Sequence, residues 1–318
     1  MVNRFDETDL SRVTPVPIAG RRSKVSVDDI VDPRTSFSGD MGAAARQMLD
    51  ALPDMLVASS LKRVVAALKR AREDKREVIW LIGAHTIKTG LSKYLAALID
   101  EGYITCLAST GSSVIHDLEL AFFGKTSEDV ESELPAGRFG MSAETSNHFN
   151  AALEFAQSHD TGFGSGAGAY IDSAGATNAD ASIFVAAHRA GIPATVHIAF
   201  GTDITHQHPG FPAAMAGELT MRDFRTLTDR VGRMFERGAI IILGSAVVLP
   251  EVFLKAVSIN YNLGLSPVEV TAASFDMLPQ YRVRENVLSR PFQGQSDAHA
   301  ITGHHEIMLP LLYFLLRS

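Results

Sequence analysis

Short apolar runs, separated by longer stretches of helical spacing, organise this chain. The runs are Val78–Ile82, Ile104–Ala108, Ala194–Phe200, Ala239–Leu243 and Val268–Ala272. Apolar runs this short predict buried strands. Between them, apolar side chains recur every three to four residues near Gly90–Asp100, Val114–Phe123, Ser146–Ser158, Ala179–Ala190, Met221–Arg237 and Pro250–Tyr261. Upstream, Met41 to Glu73 carries the same spacing, broken near Pro53. Strands alternating with helices of this length predict an α/β fold, a mainly parallel sheet covered on both faces. Residues 1–40 are polar and punctuated by Pro15, Pro17 and Pro33, which predicts an arm wrapping the body or a partner subunit. Residues 41–318 then form one large domain.

Two of the apolar runs lead into loops of small and hydroxyl residues that open helices. One is Ala84–Gly90; the other is Ser109-Thr110-Gly111-Ser112-Ser113, followed directly by Ile115-His116-Asp117. Such loops place backbone N–H groups at one edge of a parallel sheet, where nucleotide phosphates and ribose are held. His116 and Asp117 would then sit at the lip of a cofactor cleft. The glycine-rich piece Gly162–Gly168 follows Phe155-Ala156-Gln157-Ser158, which does not read as a strand. It is either a phosphate cradle or a loop packed close to another backbone.

The 318 residues carry a formal charge of −7, with 46% hydrophobic and 20% charged residues. A mildly acidic chain argues against nucleic acid as the main partner and suits a small cationic substrate. Apolar segments long enough to span a bilayer are absent, and Ile307–Leu316 is too short. Without a secretory h-region after Met1, cytoplasmic residence is the expectation. The single cysteine, Cys106, reads as a buried strand residue.

The segment Thr110-Gly111-Ser112-Ser113-Val114-Ile115-His116-Asp117 resembles the nicotinamide loop of deoxyhypusine synthases. In the same order come the Ala84–Gly90 loop, Thr202-Asp203, Ile241-Ile242-Leu243-Gly244, Thr271-Ala272 with Phe275-Asp276, and Pro310-Leu311-Leu312. The resemblance covers most of residues 75–315. It implies a Rossmann-like, doubly wound subunit assembled as a homotetramer with NAD sites at its interfaces. It also implies an NAD-dependent aminoalkyl transferase: spermidine or a related amine is dehydrogenated to an imine, and the aminoalkyl group passes to an amine acceptor. By position, His85, Thr89, Thr110, Gly111, Ser112, Gly244, Ser245, Ala246, Thr271 and Asp276 would contact the cofactor. His116, Asp117, Asp203 and His208 would be catalytic, and His206, His304 and Glu306 would face the substrate.

The chain departs from the family at its catalytic lysine. Lys255 is the last lysine, and the expected position falls near Arg290 or Pro291; an arginine is permanently charged and cannot act as an amine nucleophile. This points away from deoxyhypusine itself and towards a small amine acceptor, or an acceptor-free dehydrogenation or cleavage. Lys88 on the first loop is the candidate for any enzyme-bound imine, with a phosphate contact or a solvated lysine as the plainer readings. A second function class rests on His206, His208, His304 and Glu306, which could ligate a divalent metal in a hydrolase or lyase. Metal-free site residues and structural histidines are the alternatives. A non-catalytic nucleotide binder is the third class.

Overall fold

The computed structural model describes residues 5–36, 41–292 and 296–318; parts of the expected arm, residues 1–4 and 37–40, lie outside them. Strands β1 (Ser23–Ser26) and β4 (Lys125–Glu128) form an antiparallel pair. The main sheet holds β2 (Val78–Ile82), β3 (Cys106–Thr110), β5 (Ala194–His197), β6 (Ala239–Leu243), β7 (Val270–Asp276) and β8 (Ser296–Thr302). Helices α1 (Met41–Ala51), α2 (Leu56–Glu73), α3 (His85–Lys88), α4 (Ser92–Asp100), α5 (Gly111–Phe123), α6 (Val130–Glu133) and α7 (Ala143–Ser158) accompany the first half. The second half adds α8 (Phe163–Ser173), α9 (Ile183–Arg189), α10 (Ala213–Met234), α11 (Val248–Asn262), α12 (Tyr281–Val283) and α13 (His305–Leu316).

All six strands of the main sheet run parallel in the order β5-β3-β2-β6-β7-β8. The alternation of side chains explains the layers. Val78, Trp80 and Ile82 pack with α2, α4, α5, α7, α8, α9 and α13, whereas Ile79 and Leu81 pack with α10 and α11. Every residue of β2 and β6 is buried, and each such aliphatic side chain stabilises the fold by about 1.5–3 kcal/mol. The doubly wound α/β expectation is therefore met. The strand order reverses between β2 and β6, and ligands of open parallel sheets bind beyond the carboxyl ends at that point.

Several elements differ from the sequence expectation: β3 lies two residues later, β5 already stops at His197, α10 begins at Ala213, and β8 corresponds to no expected strand. The glycine-rich piece is the first half of helix α8 rather than a loop. Its backbone lies so close to its neighbours that a Cβ on Gly164 would stand 2.4 Å from the Ala194 oxygen, and one on Gly168 2.2 Å from the Phe184 oxygen. Tertiary contact overrides the poor helix propensity of glycine here. β7 begins two residues later than expected and runs on through Ser274 to Asp276. No described helix is long and apolar enough to cross a membrane. Cys106 is fully buried in β3, and burial pushes its thiol up.

The described part of the N-terminal segment lies along the body. β1 pairs with β4, the Val16 N–H donates to the Met141 oxygen at 2.7 Å, and Arg21 reaches the buried carboxylate of Glu119.

Candidate active site

Gly83 and Gly244 directly follow β2 and β6, one on each side of the switch point. The Gly83 N–H donates to the Leu243 oxygen at 2.9 Å, and a Cβ on Gly83 would stand 1.9 Å from the Gly244 oxygen. Only glycine allows this approach. Gly244 itself has φ +67°, the left-handed region. Beside it sits the buried imidazole of His305, whose Nε2 donates to the Phe275 oxygen at 3.2 Å. His305 Nδ1 is buried with no hydrogen-bond partner among the described residues. The His85 ring lies 5.4 Å away. Burial, helped by His305 and Lys88, lowers the proton affinity of His85.

Two helices open on the same rim. α5 starts at Gly111 and α11 at Val248, and neither N-cap side chain caps a backbone N–H of its helix. Their first-turn N–H groups are suited to phosphate or hydroxyl oxygens. Next to α5 lies a cleft of about 160 Å³, lined among others by Arg21, Lys88, Ser112, His116, Glu128 and Asp203. Asp203 is 6% exposed, and a Cβ on Gly111 would stand 2.1 Å from its Oδ2. That oxygen is buried and has no partner among the described residues. Burial pushes the Asp203 carboxyl up to about 6, against the pull of the Ser112 N–H. His116 Nδ1 lies 2.7 Å from Thr126 Oγ1, and burial takes its imidazole down to about 4. Burial also raises Glu128, which accepts the Gly140 N–H at 2.9 Å. The cleft thus holds a base that stays neutral, an unpaired carboxylate oxygen and, at its open edge, the exposed Lys88.

A sequence profile described as "Arginine dihydrolase ArgZ-like, C-terminal, Rossmann fold" matches residues 62–152, the part carrying β2, β3 and α5. Among solved structures, the complex of AgrE with ornithine and NAD+ is similar over 90% of this chain, with TM-score 0.55 and 14% identity. ArgZ, an arginine dihydrolase of the ornithine-ammonia cycle in Cyanobacteria, is similar over 82%, with TM-score 0.51 and 15% identity. This chain spans about a third of their length, 34% of AgrE and 33% of ArgZ. A candidate deoxyhypusine synthase from Entamoeba histolytica matches over 89% of this chain and 94% of its own, at 10% identity and TM-score 0.46. None of the curated proteins matches. The profile match and the likeness to AgrE and ArgZ establish the Rossmann-type fold and leave the activity to be argued from the site.

The structure brings together part of the set expected from sequence. His116, Asp203, Ser112 and Lys88 line one cleft; Thr110 and Gly111 form its rim beside α5, with Thr110 Oγ1 2.9 Å from Ser112 Oγ. Gly244, the buried Ser245, Ala246 and His85 lie at the switch point, and Thr89 donates its hydroxyl back to the His85 oxygen at 3.0 Å. Asp276 ends β7, where it caps the Leu278 N–H at 3.3 Å and lines a separate hollow with Ser274, Tyr281 and Thr302.

Other expectations are corrected. Asp117 does not share the cleft with His116. One residue further round α5, it is fully buried on the opposite side, where it accepts from the Ser182 hydroxyl and from the Ile183 N–H at 2.9 Å, capping α9. Thr271 stands at the amino end of β7, paired with Ala239 at the start of β6, so it is at the wrong edge of the sheet for the cofactor. His208 is buried with Nε2 2.9 Å from the Gly140 oxygen, a strut between loops rather than a catalytic group. His206 Nδ1 accepts the N–H groups of Gly201 and Asp203 at 3.1 and 3.2 Å, and its ring packs on Phe200 and Phe211. His304 and Glu306 are exposed at the start of α13, 3.7 Å from each other. Among the described residues no three His, Cys, Asp or Glu side chains converge on a metal position, so His206, His208, His304 and Glu306 do not form the expected ligand set. Lys88 is exposed, not desolvated by its apolar neighbours. Of the run His304-His305-Glu306, the buried member is His305 rather than the two residues expected to face the substrate. The signal was available: in a helix that buries Leu309, Leu312 and Tyr313, position 305 falls on the inward side.

Proposed function

We propose that this chain binds NAD across the switch point and dehydrogenates a small cationic amine held in the neighbouring cleft. The observation that carries this reading is the unpartnered Oδ2 of Asp203. Asp203 lines the cleft, and a buried carboxylate oxygen without a donor is a costly arrangement unless a ligand supplies one, as a substrate ammonium would. Because that oxygen lies against Gly111 at the mouth of α5, the amine and the dinucleotide would share one rim.

The residues at the rim fit a dinucleotide. The backbone of Gly83, Gly244 and Ser245 and the N-terminus of α11 would hold the pyrophosphate. Thr110, Gly111 and Ser112 would meet the nicotinamide ribose, and Asp276 a ribose hydroxyl. When bound, NAD supplies the hydride acceptor for the amine-bearing carbon. Within the protein, Asp203 binds and orients the ammonium, neutral His116 takes up a proton, and Lys88 faces any carboxylate or second polar group of the substrate. AgrE, a third of which this chain matches, forms a complex with ornithine and NAD+, which supports an amino acid or diamine as the donor. The acceptor's nitrogen would then form a bond to the aminoalkyl carbon as the bond to the donor's own nitrogen breaks, releasing ammonia or a shortened diamine; the acceptor is a small amine, because no lysine follows Lys255 to carry the group. A homotetramer belongs to the same reading.

Incubation with NAD+ and, in turn, ornithine, putrescine and spermidine tests it. Amine-dependent NADH formation, or release of a shortened diamine by mass spectrometry, is the expected result. Absence of both with every amine tried, in protein shown to bind NAD+, would remove the dehydrogenase reading.

A further inference from the structure

Arg21, Glu119 and His116, which line the cleft, and the fully buried Thr126 form a chain of hydrogen bonds whose directions can be worked out from one end. Arg21, from the N-terminal segment, places its two terminal nitrogens on Glu119 Oε1 and Oε2 at 2.6 and 2.8 Å. Both side chains are buried, at 5% and 1% exposure. Thr145 donates to Oε1 at 2.7 Å as well. Burial favours the neutral acid, but Arg21 outweighs it and holds Glu119 below the usual carboxylate range. An ionised carboxylate can only accept. The Thr126 hydroxyl, 2.7 Å from Glu119 Oε2, must therefore spend its single proton on Glu119. Its oxygen is left as the acceptor for His116 Nδ1, 2.7 Å away on the other side. Nδ1 must then carry the proton, and a neutral His116 has its lone pair on Nε2, the nitrogen on the far side of a ring that lines the cleft.

We infer that Arg21, Glu119 and Thr126 form a one-way relay that fixes His116 in the Nδ1–H tautomer and presents Nε2 to the cleft as the proton acceptor. Arg21, Glu119 and Thr126 are positioning residues; only His116 meets the substrate. The N-terminal segment is thereby part of the site. The low proton affinity of His116, caused first by burial and reinforced by Lys88 and Arg21 against Glu119, agrees with a ring that is neutral at physiological pH. The inference rests on the proposed dehydrogenation only for what the base acts upon. The relay itself can be read with no nucleotide or amine present.

The test is a two-bond proton–nitrogen correlation spectrum of ¹⁵N-histidine-labelled protein at neutral pH, with His116 assigned by its disappearance in His116→Gln. The wild type is expected to show protonated Nδ1 and bare Nε2. Thr126→Val is expected to lose that pattern, and Thr126→Ser to restore it. Arg21→Gln, which keeps a donor but removes the charge, is expected to lose it as well, because Glu119 then takes up a proton and the relay can run backwards. A wild-type His116 with protonated Nε2, or with both nitrogens protonated, overturns the inference. So does an Nδ1–H pattern that survives in Thr126→Val. Should that variant not fold, Thr126→Ala replaces it, and the wild-type spectrum decides the tautomer by itself.

Discussion

At the scale of single residues, the site is set by which side chains are left without partners. Asp203 is the clearest case, because its buried Oδ2 lacks a donor and its carboxyl is pushed up to about 6. Only the ionised form binds an ammonium well, so KM for the amine is expected to fall as pH rises through about 6. Asp203→Asn is expected to raise that KM about 10–100-fold, the worth of a hydrogen bond to a charged group, with little change in NAD+ affinity; steady-state kinetics and a nucleotide titration check both halves. Asp117 and Asp223 behave differently. Each is buried and held by backbone N–H groups, and burial pushes each up to about 7. The folded state therefore keeps these protons to higher pH than the unfolded chain, whose aspartates titrate near 3.9. Their contribution is complete below about pH 4 and is lost as pH rises towards about 7. Asp117→Asn, which keeps an acceptor for the Ile183 N–H, is expected to flatten that decline in plots of melting temperature against pH. An unchanged slope would show that Asp117 is ionised throughout.

At the scale of elements, the rim is shaped by two glycines with opposite tolerances. A methyl on Gly83 meets backbone, the Gly244 oxygen at 1.9 Å, and the strands cannot part without breaking the sheet. Gly83→Ala is expected to cost about 3 kcal/mol or more in urea unfolding and to abolish NAD+ binding. A methyl on Gly111 meets only the end of the Asp203 side chain, which can swing aside. Gly111→Ala is expected to leave the urea midpoint nearly unchanged while weakening the amine. The same distinction shows what could be read from sequence. β2 and β6 were legible to the residue because both faces of each are buried and the run is continuously apolar, whereas β3 and β5, which include Ser109, Thr110, Thr195 and His197, were legible as strands but not in their bounds. β8 was not legible, because Ser-Asp-Ala-His-Ala-Ile-Thr at the sheet edge mixes polar and apolar residues. β7 was cut short where Ser274 and Asp276 interrupt the apolar pattern, which moved Thr271 to the wrong end. His116 and Asp117 looked like a pair because they are adjacent, yet neighbours on a helix point about 100° apart. The partner that organises His116, Arg21, is 95 residues away in sequence (116 − 21) and carried no local signal.

At the scale of the whole molecule, the N-terminal segment and the exposed apolar surface set further expectations. Arg21 neutralises the only charge on a carboxylate that is 1% exposed. Removing one partner of such a pair strands the other, so Arg21→Met is expected to destabilise the protein by about 3–5 kcal/mol, measurable by denaturant unfolding. The start of α2 exposes Met55 at 62%, Leu56 at 85% and Val57 at 48%, a patch suited to burial between subunits. Light scattering of the wild type is expected to give the mass of a tetramer, and Leu56→Glu a smaller species; a wild-type monomer would exclude the assembly. The whole account depends on the crevice where β2 and β6 part company. Calorimetric titration of the purified protein with NAD+ addresses it directly. Saturable heat at one nucleotide per chain, lost in Gly83→Ala and kept in Asp203→Asn, is the predicted result. No heat with NAD+ or NADH, from folded protein at millimolar nucleotide, would contradict it.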